Sequence, residues 1–191
     1  MNLKILIFLQ FLTILTVKCG KQKNSYNDGT RFQSIECISN NLTATIAYCY
    51  MKAVSRKVVT LNVGVKLTKP INKPIYVQFI FYYRYGIIYH EVINTKKQEW
   101  CGIMDGKSAH PMILQTLAQI KATAPGLFHK CPYEDLVELK NVTIDDTKSF
   151  DVFPAGHYKT SVLTFDKNED PFFSMNLTHQ IKSSLKETMG K

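Results

Sequence analysis

The chain has 191 residues, 45% of them hydrophobic, and a formal charge of +9. That is enough for one sizeable core and too little for two ordinary domains joined by a linker. Seven Pro and nine Gly exclude a fibrous or low-complexity protein, and the hydrophobic fraction excludes a disordered one.

Met1 to Lys4 form a short basic lead, and Ile5 to Val17 follow as an apolar run interrupted only by Gln10 and two threonines. The run is too short to span a hydrocarbon core of ~30 Å, and small residues follow it, so residues 1–19 are expected to be a secretory signal cut after Cys19. No later stretch approaches the length of a membrane span. The mature chain is therefore expected to be secreted and extracellular. Its charge drops to +7, because Lys4 and Lys18 leave with no acid. Cys37, Cys49, Cys101 and Cys131 remain, which in an oxidising compartment read as two disulfides with three pairings open. Sequons at Asn41, Asn141 and Asn176 are candidate glycosylation sites.

Residues 20–31 are polar and read as a flexible tail, as do residues 184–191 at the other end; residues 32–183 form the domain. Within it the dominant period is two. Val59, Leu61, Val63, Val65 and Leu67 alternate with Thr60, Asn62, Gly64 and Lys66, which predicts a strand with one buried face. Ile75, Val77, Phe79, Phe81 and Tyr83 repeat the pattern beyond a turn bracketed by Lys69-Pro70 and Lys73-Pro74. The second face of that strand is aromatic enough to be partly covered. Less regular strands are expected at 32–38, 42–53, 87–94 and 135–144, with two more near 157–165 and 171–182. Short strands between turn residues predict an antiparallel sandwich.

One segment breaks the period. Ile113, Leu117, Ile120 and Ala124 are spaced as one face of a helix over residues 111–124, with Ser108 as a possible cap and Pro125-Gly126 as the stop. Cys101 and Cys131 flank it, and joining them would pin the insertion to the sheet edges. Charge is uneven too. No acid lies between Glu36 and Glu91, yet Lys52, Arg56, Lys57, Lys66, Lys69, Lys73 and Arg84 do. This reads either as an ordinary solvated face or as a basic edge for an anionic membrane surface or acidic glycan.

Catalytic patterns are incomplete. Gly102 to Ser108 has three residues between its glycines where a phosphate loop needs four, His90-Glu91 has Asn94 where a zincin needs its second His, and there is no G-x-S-x-G. The cysteine spacings fit no zinc site, and the five His stand singly, as surface or capping residues. No catalytic residue, metal or cofactor is expected, nor is nucleic-acid binding.

The run from Cys49 to Arg56, CYMKAVSR, resembles the C-x-x-K-A-V-x-R segment of an insect family of secreted proteins. That family was long labelled a domain of unknown function and includes the CheB pheromone-response proteins. Lys69 to Asn72, Trp100-Cys101, His129 to Tyr133 and Phe153 to Tyr158 continue the match across residues 32–183. The family is similar to the ganglioside-activator branch of the ML lipid-recognition superfamily. The resemblance implies an all-β fold: an immunoglobulin-like antiparallel β-sandwich with one inserted amphipathic helix, whose sheets part to hold acyl chains. It also implies, with the position of the helix, the pairing Cys37–Cys49 and Cys101–Cys131. From the residues alone, Leu61, Val63, Val77, Phe79 and Phe81 opposite Tyr158, Val162, Met175 and Leu177 either fill a solid core or leave a gap. The resemblance favours the gap and makes those nine residues candidate ligand contacts. The functional expectation is a non-catalytic carrier of a lipid or other hydrophobic small molecule in chemosensory signalling, with a membrane receptor as a further partner. The alternative is an interaction protein with a filled core that binds a receptor or glycan through its basic edge.

Overall fold

The computed structural model describes residues 30–55, 58–71, 74–121, 123–143 and 153–182. The proposed signal and most of the two tails lie outside these residues. The described residues form two packed antiparallel sheets. The strands are β1 (Thr30–Ser39), β2 (Ala44–Ala53), β3 (Val59–Leu67), β4 (Tyr76–Tyr85), β5 (Ile88–Asn94), the two-residue β6 (Gln98–Glu99), β7 (Leu136–Val142), β8 (Gly156–Phe165) and β9 (Pro171–Ile181). One sheet has the order β1-β9-β8-β4-β5, with β6 also on β4; the other is β2-β3-β7. The fold is an all-β antiparallel sandwich. Strand β1 begins at Thr30, which pairs with Ile181, so regular structure starts two residues inside the segment expected as a tail.

The strands that look irregular in sequence are regular strands with a bulge. Strand β2 slips between Ile46 and Tyr48, so its inward residues pass from Ala44 and Ile46 to Cys49 and Met51. Strand β1 slips between Phe32 and Ser34, and β3 and β7 slip against each other between Leu61 and Val63. One extra residue in a strand reverses the alternation beyond it, and the period of two is lost to the eye. The extra residue on β7 is accommodated by Asn62, whose side-chain oxygen accepts from the Asn141 backbone N–H at 3.0 Å.

Strand β3 departs from the single buried face its alternation predicts. Thr60, Asn62 and Gly64 are buried along with Leu61, Val63 and Val65. The outer side is covered locally: the Tyr48 ring lies on Gly64, where a Cβ would stand 2.5 Å from it, and its hydroxyl donates to Glu138 at 2.6 Å. Lys140 and Tyr48 hold the Glu138 carboxyl below its usual range, while burial and then Glu138 push Tyr48 up to about 12. The aromatic outer face of β4 is half-buried, as expected, with the Lys159 ammonium 4.3 Å from the Tyr82 ring.

The insertion between β5 and β7 contains two short helices, α1 (Trp100–Met104) and α2 (Pro111–Ile120), and a 3-10 turn at Pro125–Leu127. Three expectations are corrected here. The helix ends at Ile120, four residues early. Pro125 bars the α region to Ala124, which adopts φ −134° and ψ 56°, and the Ile120 carbonyl is taken by the Thr123 hydroxyl and the Ala124 N–H. The cap is His110, not Ser108: its Nδ1 accepts from the Met112 N–H at 3.2 Å. Gly102 to Met104, the start of the failed phosphate loop, belong to α1, with Gly102 packed against the Glu99 carboxylate.

Two disulfides join Cys37 to Cys49 and Cys101 to Cys131. The first links β1 to β2 and so crosses from one sheet to the other. The second ties α1 to the chain entering β7.

Candidate functional site

Strand pairing aligns the inward side chains of the larger sheet into rows. Tyr83, Tyr158, His179 and Phe32 form one row; Phe81, Thr160, Leu177 and Ile35 the next; Phe79, Val162, Met175 and Cys37 the third. Opposite them stand Leu61, Val63 and Val65 of β3 with Val137, Leu139 and Val142 of β7. This corrects the expected walls: Val77, Phe79 and Phe81 share a sheet with Val162, Met175 and Leu177 instead of facing them, because β4 hydrogen-bonds to β8, and only the β3 residues are opposite. The insertion closes the side through Trp100 of α1 and Leu117 and Ile120 of α2. Between these walls lies a cavity of about 240 Å³.

Eight of the nine side chains proposed from sequence line it: Leu61, Val63, Val77, Phe79, Phe81, Val162, Met175 and Leu177. Tyr158 does not. It is buried beside the lining, its ring edge-on to Tyr83 at 5.0 Å and stacked on His179 at 5.7 Å, and its hydroxyl donates to the Pro154 carbonyl at 2.7 Å. Burial first, then Tyr83 and Tyr85, push that hydroxyl up to about 12. Rings surround it instead of space, with Phe153 also edge-on at 5.6 Å.

The lining also includes residues that sequence reasoning missed. Ile71, Ile75, Trp100 and Tyr133 gather at one end, with Phe172 and Phe173 on β9. The Trp100 indole N–H donates to the Tyr133 hydroxyl at 2.9 Å, and that hydroxyl donates to the Leu127 and His129 carbonyls. This corner is a closed hydrogen-bond network, so its polar atoms are spent. Loop and helix residues have no period that points into a sandwich, and only the Trp100-Cys101 and Cys131 to Tyr133 neighbourhoods hinted at the corner.

At the other end the lining turns weakly polar, with Thr160 and His179. His179 is buried, unlike the surface or capping role expected of each His. Burial pushes its pKa down to about 4, so the ring is neutral at physiological pH. Its alternation with Met175 and Leu177 was the available signal. His110 is a cap as expected, and His90 and His157 are on or near the surface, at Tyr85 and Gln33.

The basic run does not form one edge. Lys52 faces Thr60 at one end of the β2–β3 ladder, whereas Lys66 faces Thr45 at the other, about 20 Å away along the strand. Lys69 is with Lys66, and Arg84 is on the other sheet; Arg56, Lys57 and Lys73 lie outside the described residues. Of the sequons, Asn41 and Asn141 are exposed, while Asn176 is half-buried and accepts from the Ser161 hydroxyl at 2.7 Å.

No protein-family profile and no curated protein matches this chain. Among solved structures, a Niemann-Pick type C2 protein from the Japanese carpenter ant is similar, with 11% sequence identity and a TM-score of 0.39, over 80% of this chain and 99% of that one.

Proposed function

We propose that this chain is a secreted, non-catalytic carrier that holds a lipid or long-chain hydrocarbon between its two sheets. The observation that carries the reading is the cavity of about 240 Å³ between the sheets, with an almost wholly apolar lining. An apolar-lined space in a sandwich forfeits the contacts that a filled core would make, so it is better explained as a binding site than as a packing fault. Burying acyl surface there supplies the affinity at about 25 cal/mol per Å². Two disulfides in a small sandwich agree with a secretory destination, and the exposed Asn41 and Asn141 with glycosylation there. Chemosensory signalling is the setting the sequence resemblance adds, with a membrane receptor as the further partner.

Native mass spectrometry of the purified full chain tests the reading. A co-purifying hydrophobic mass is expected, and after delipidation the protein should take up a fluorescent fatty acid or N-phenyl-1-naphthylamine and melt at a higher temperature with it. A strictly apo mass and no uptake of either probe would sink the proposal.

A further inference from the structure

The polar side chains of the lining are not equivalent. Thr116 spends its hydroxyl on the Met112 carbonyl at 2.8 Å, and Thr164 on the Phe173 carbonyl at 2.9 Å. Tyr133 and Trp100 are committed to each other and to the backbone. Two other hydroxyl or amide side chains remain: Gln119, half-buried on α2 at the insertion side, and Thr160 on the sheet. Thr160 stands between Phe81 and Leu177 in the middle of the sheet, is 8% exposed, and makes no side-chain hydrogen bond among the described residues. Its hydroxyl is therefore open to a partner that enters the space beside it. Here it borders the cavity.

The lining also carries no charge. Among the described residues that face the cavity there is no Lys, Arg, Asp or Glu. Its one group that titrates near neutrality, His179, is neutral, held down to about 4 by burial. A carboxylate or ammonium drawn into this space would lose its hydration and find no counter-charge.

We propose that the cavity selects an elongated, uncharged ligand carrying one oxygen function, such as an alcohol, ester or ketone, and that Thr160 is its hydrogen-bond anchor. The proposal rests on the carrier reading and adds to it the class of ligand and the residue that tells classes apart. The hydroxyl donates to a carbonyl or exchanges a hydrogen bond with an alcohol. The hydrocarbon remainder lies along Phe79, Val63 and Met175 toward the Trp100 corner, whose polar atoms are already used.

The test uses the delipidated full chain and displacement of N-phenyl-1-naphthylamine by decane, decanol, methyl decanoate and decanoate at neutral pH. In the wild type, decanoate should bind at least tenfold more weakly than decanol. Thr160→Val keeps the shape and removes the hydroxyl, and should weaken decanol and methyl decanoate about fivefold while leaving decane unchanged. Thr160→Ser should keep the wild-type order. Ser161→Ala removes a hydroxyl from the opposite face of the same strand and should change none of the four. Decanoate binding tightest would overturn the proposal without recourse to any variant. So would Thr160→Val shifting all four ligands alike, or none. If the probe and all four ligands fail to bind the wild type, the carrier reading itself falls.

Discussion

At one long edge of the sandwich, Cys37 of β1 is joined directly to Cys49 of β2, with Cα atoms 6.2 Å apart. At the opposite edge, where β4 faces β7, the chain between residues 95 and 135 is packed in instead, with α2 and the 3-10 turn held by Cys101–Cys131. Packed sheets ordinarily stand about 10 Å apart, so the first edge is drawn closer than that, whereas a helix with its side chains is itself about 10 Å across. One edge is fastened and the other wedged. A cavity follows from that asymmetry, because the same side chains that fill the narrow side cannot reach across the wide one. Phe32 packs against Leu61, Val142 and Leu177, which in turn line the cavity that Phe32 itself does not reach.

The largest test of this contrast compares two phenylalanines that are each 6% exposed. Phe32 does not line the cavity; Phe81 does. In delipidated protein, Phe32→Ala should cost about 3 to 5 kcal/mol in urea melts, because it opens a void. Phe81→Ala should cost about 1 to 2 kcal/mol, mainly lost transfer energy, since it already borders a space. Equal costs would mean that the wide side is packed as tightly as the narrow one, and the carrier reading would lose its main support.

The disulfides sharpen the same point. In the chain-entropy account, removing the bridge across 30 residues should cost about 4 kcal/mol and removing the one across 12 about 3 kcal/mol. The stability losses are similar, but ligand uptake should separate them. The double variant Cys101→Ala, Cys131→Ala frees the wedge and should lose most of its capacity for N-phenyl-1-naphthylamine, while Cys37→Ala, Cys49→Ala should retain it. Matching losses of uptake would show that the two edges do the same job.

His179 gives the third and smallest test. It lies on β9 in the row that ends at Phe32, and burial lowers its pKa from 6.5 to about 4. The unfolded chain therefore binds more protons than the folded one between these values, and stability rises with pH across that window. The contribution is complete above about pH 6.5 and is lost as pH falls toward 4, amounting to about 3 kcal/mol. Denaturant melts along a pH series should show this fall, and His179→Gln should flatten it. A wild-type profile with no slope in that window would place the ring in contact with water.

Alternation alone made β3, β4 and β9 from Phe173 onward readable in the sequence, and with them seven of the eight cavity-lining residues, Val162 being on β8, because an uninterrupted run on a buried face has no freedom to depart from a period of two. Strands β1, β2 and β7 were legible only as irregular runs, since each carries a bulge and a bulge is decided by the partner strand. For Gly64, Tyr48 and Asn62, local sequence is silent: what covers the outer face of β3 comes from the neighbouring strands. The helix could be seen but not its end, which depends on how Thr123 and Ala124 compete for the Ile120 carbonyl. Tyr158 and Phe81 look alike as buried aromatics, and only the neighbours each meets in the fold set them apart, since the rings of Tyr83, Phe153 and His179 enclose Tyr158 while Phe81 borders the cavity. Sequence by itself thus determined the class of fold and the apolar character of the interior, but not which strands share a wall, because β4 pairs with β8 in the larger sheet instead of standing with β3 opposite it. Whether that interior is filled was decided by tertiary structure, because free volume depends on the spacing of two sheets, and that spacing is set by one short bridge at one edge and a helix at the other.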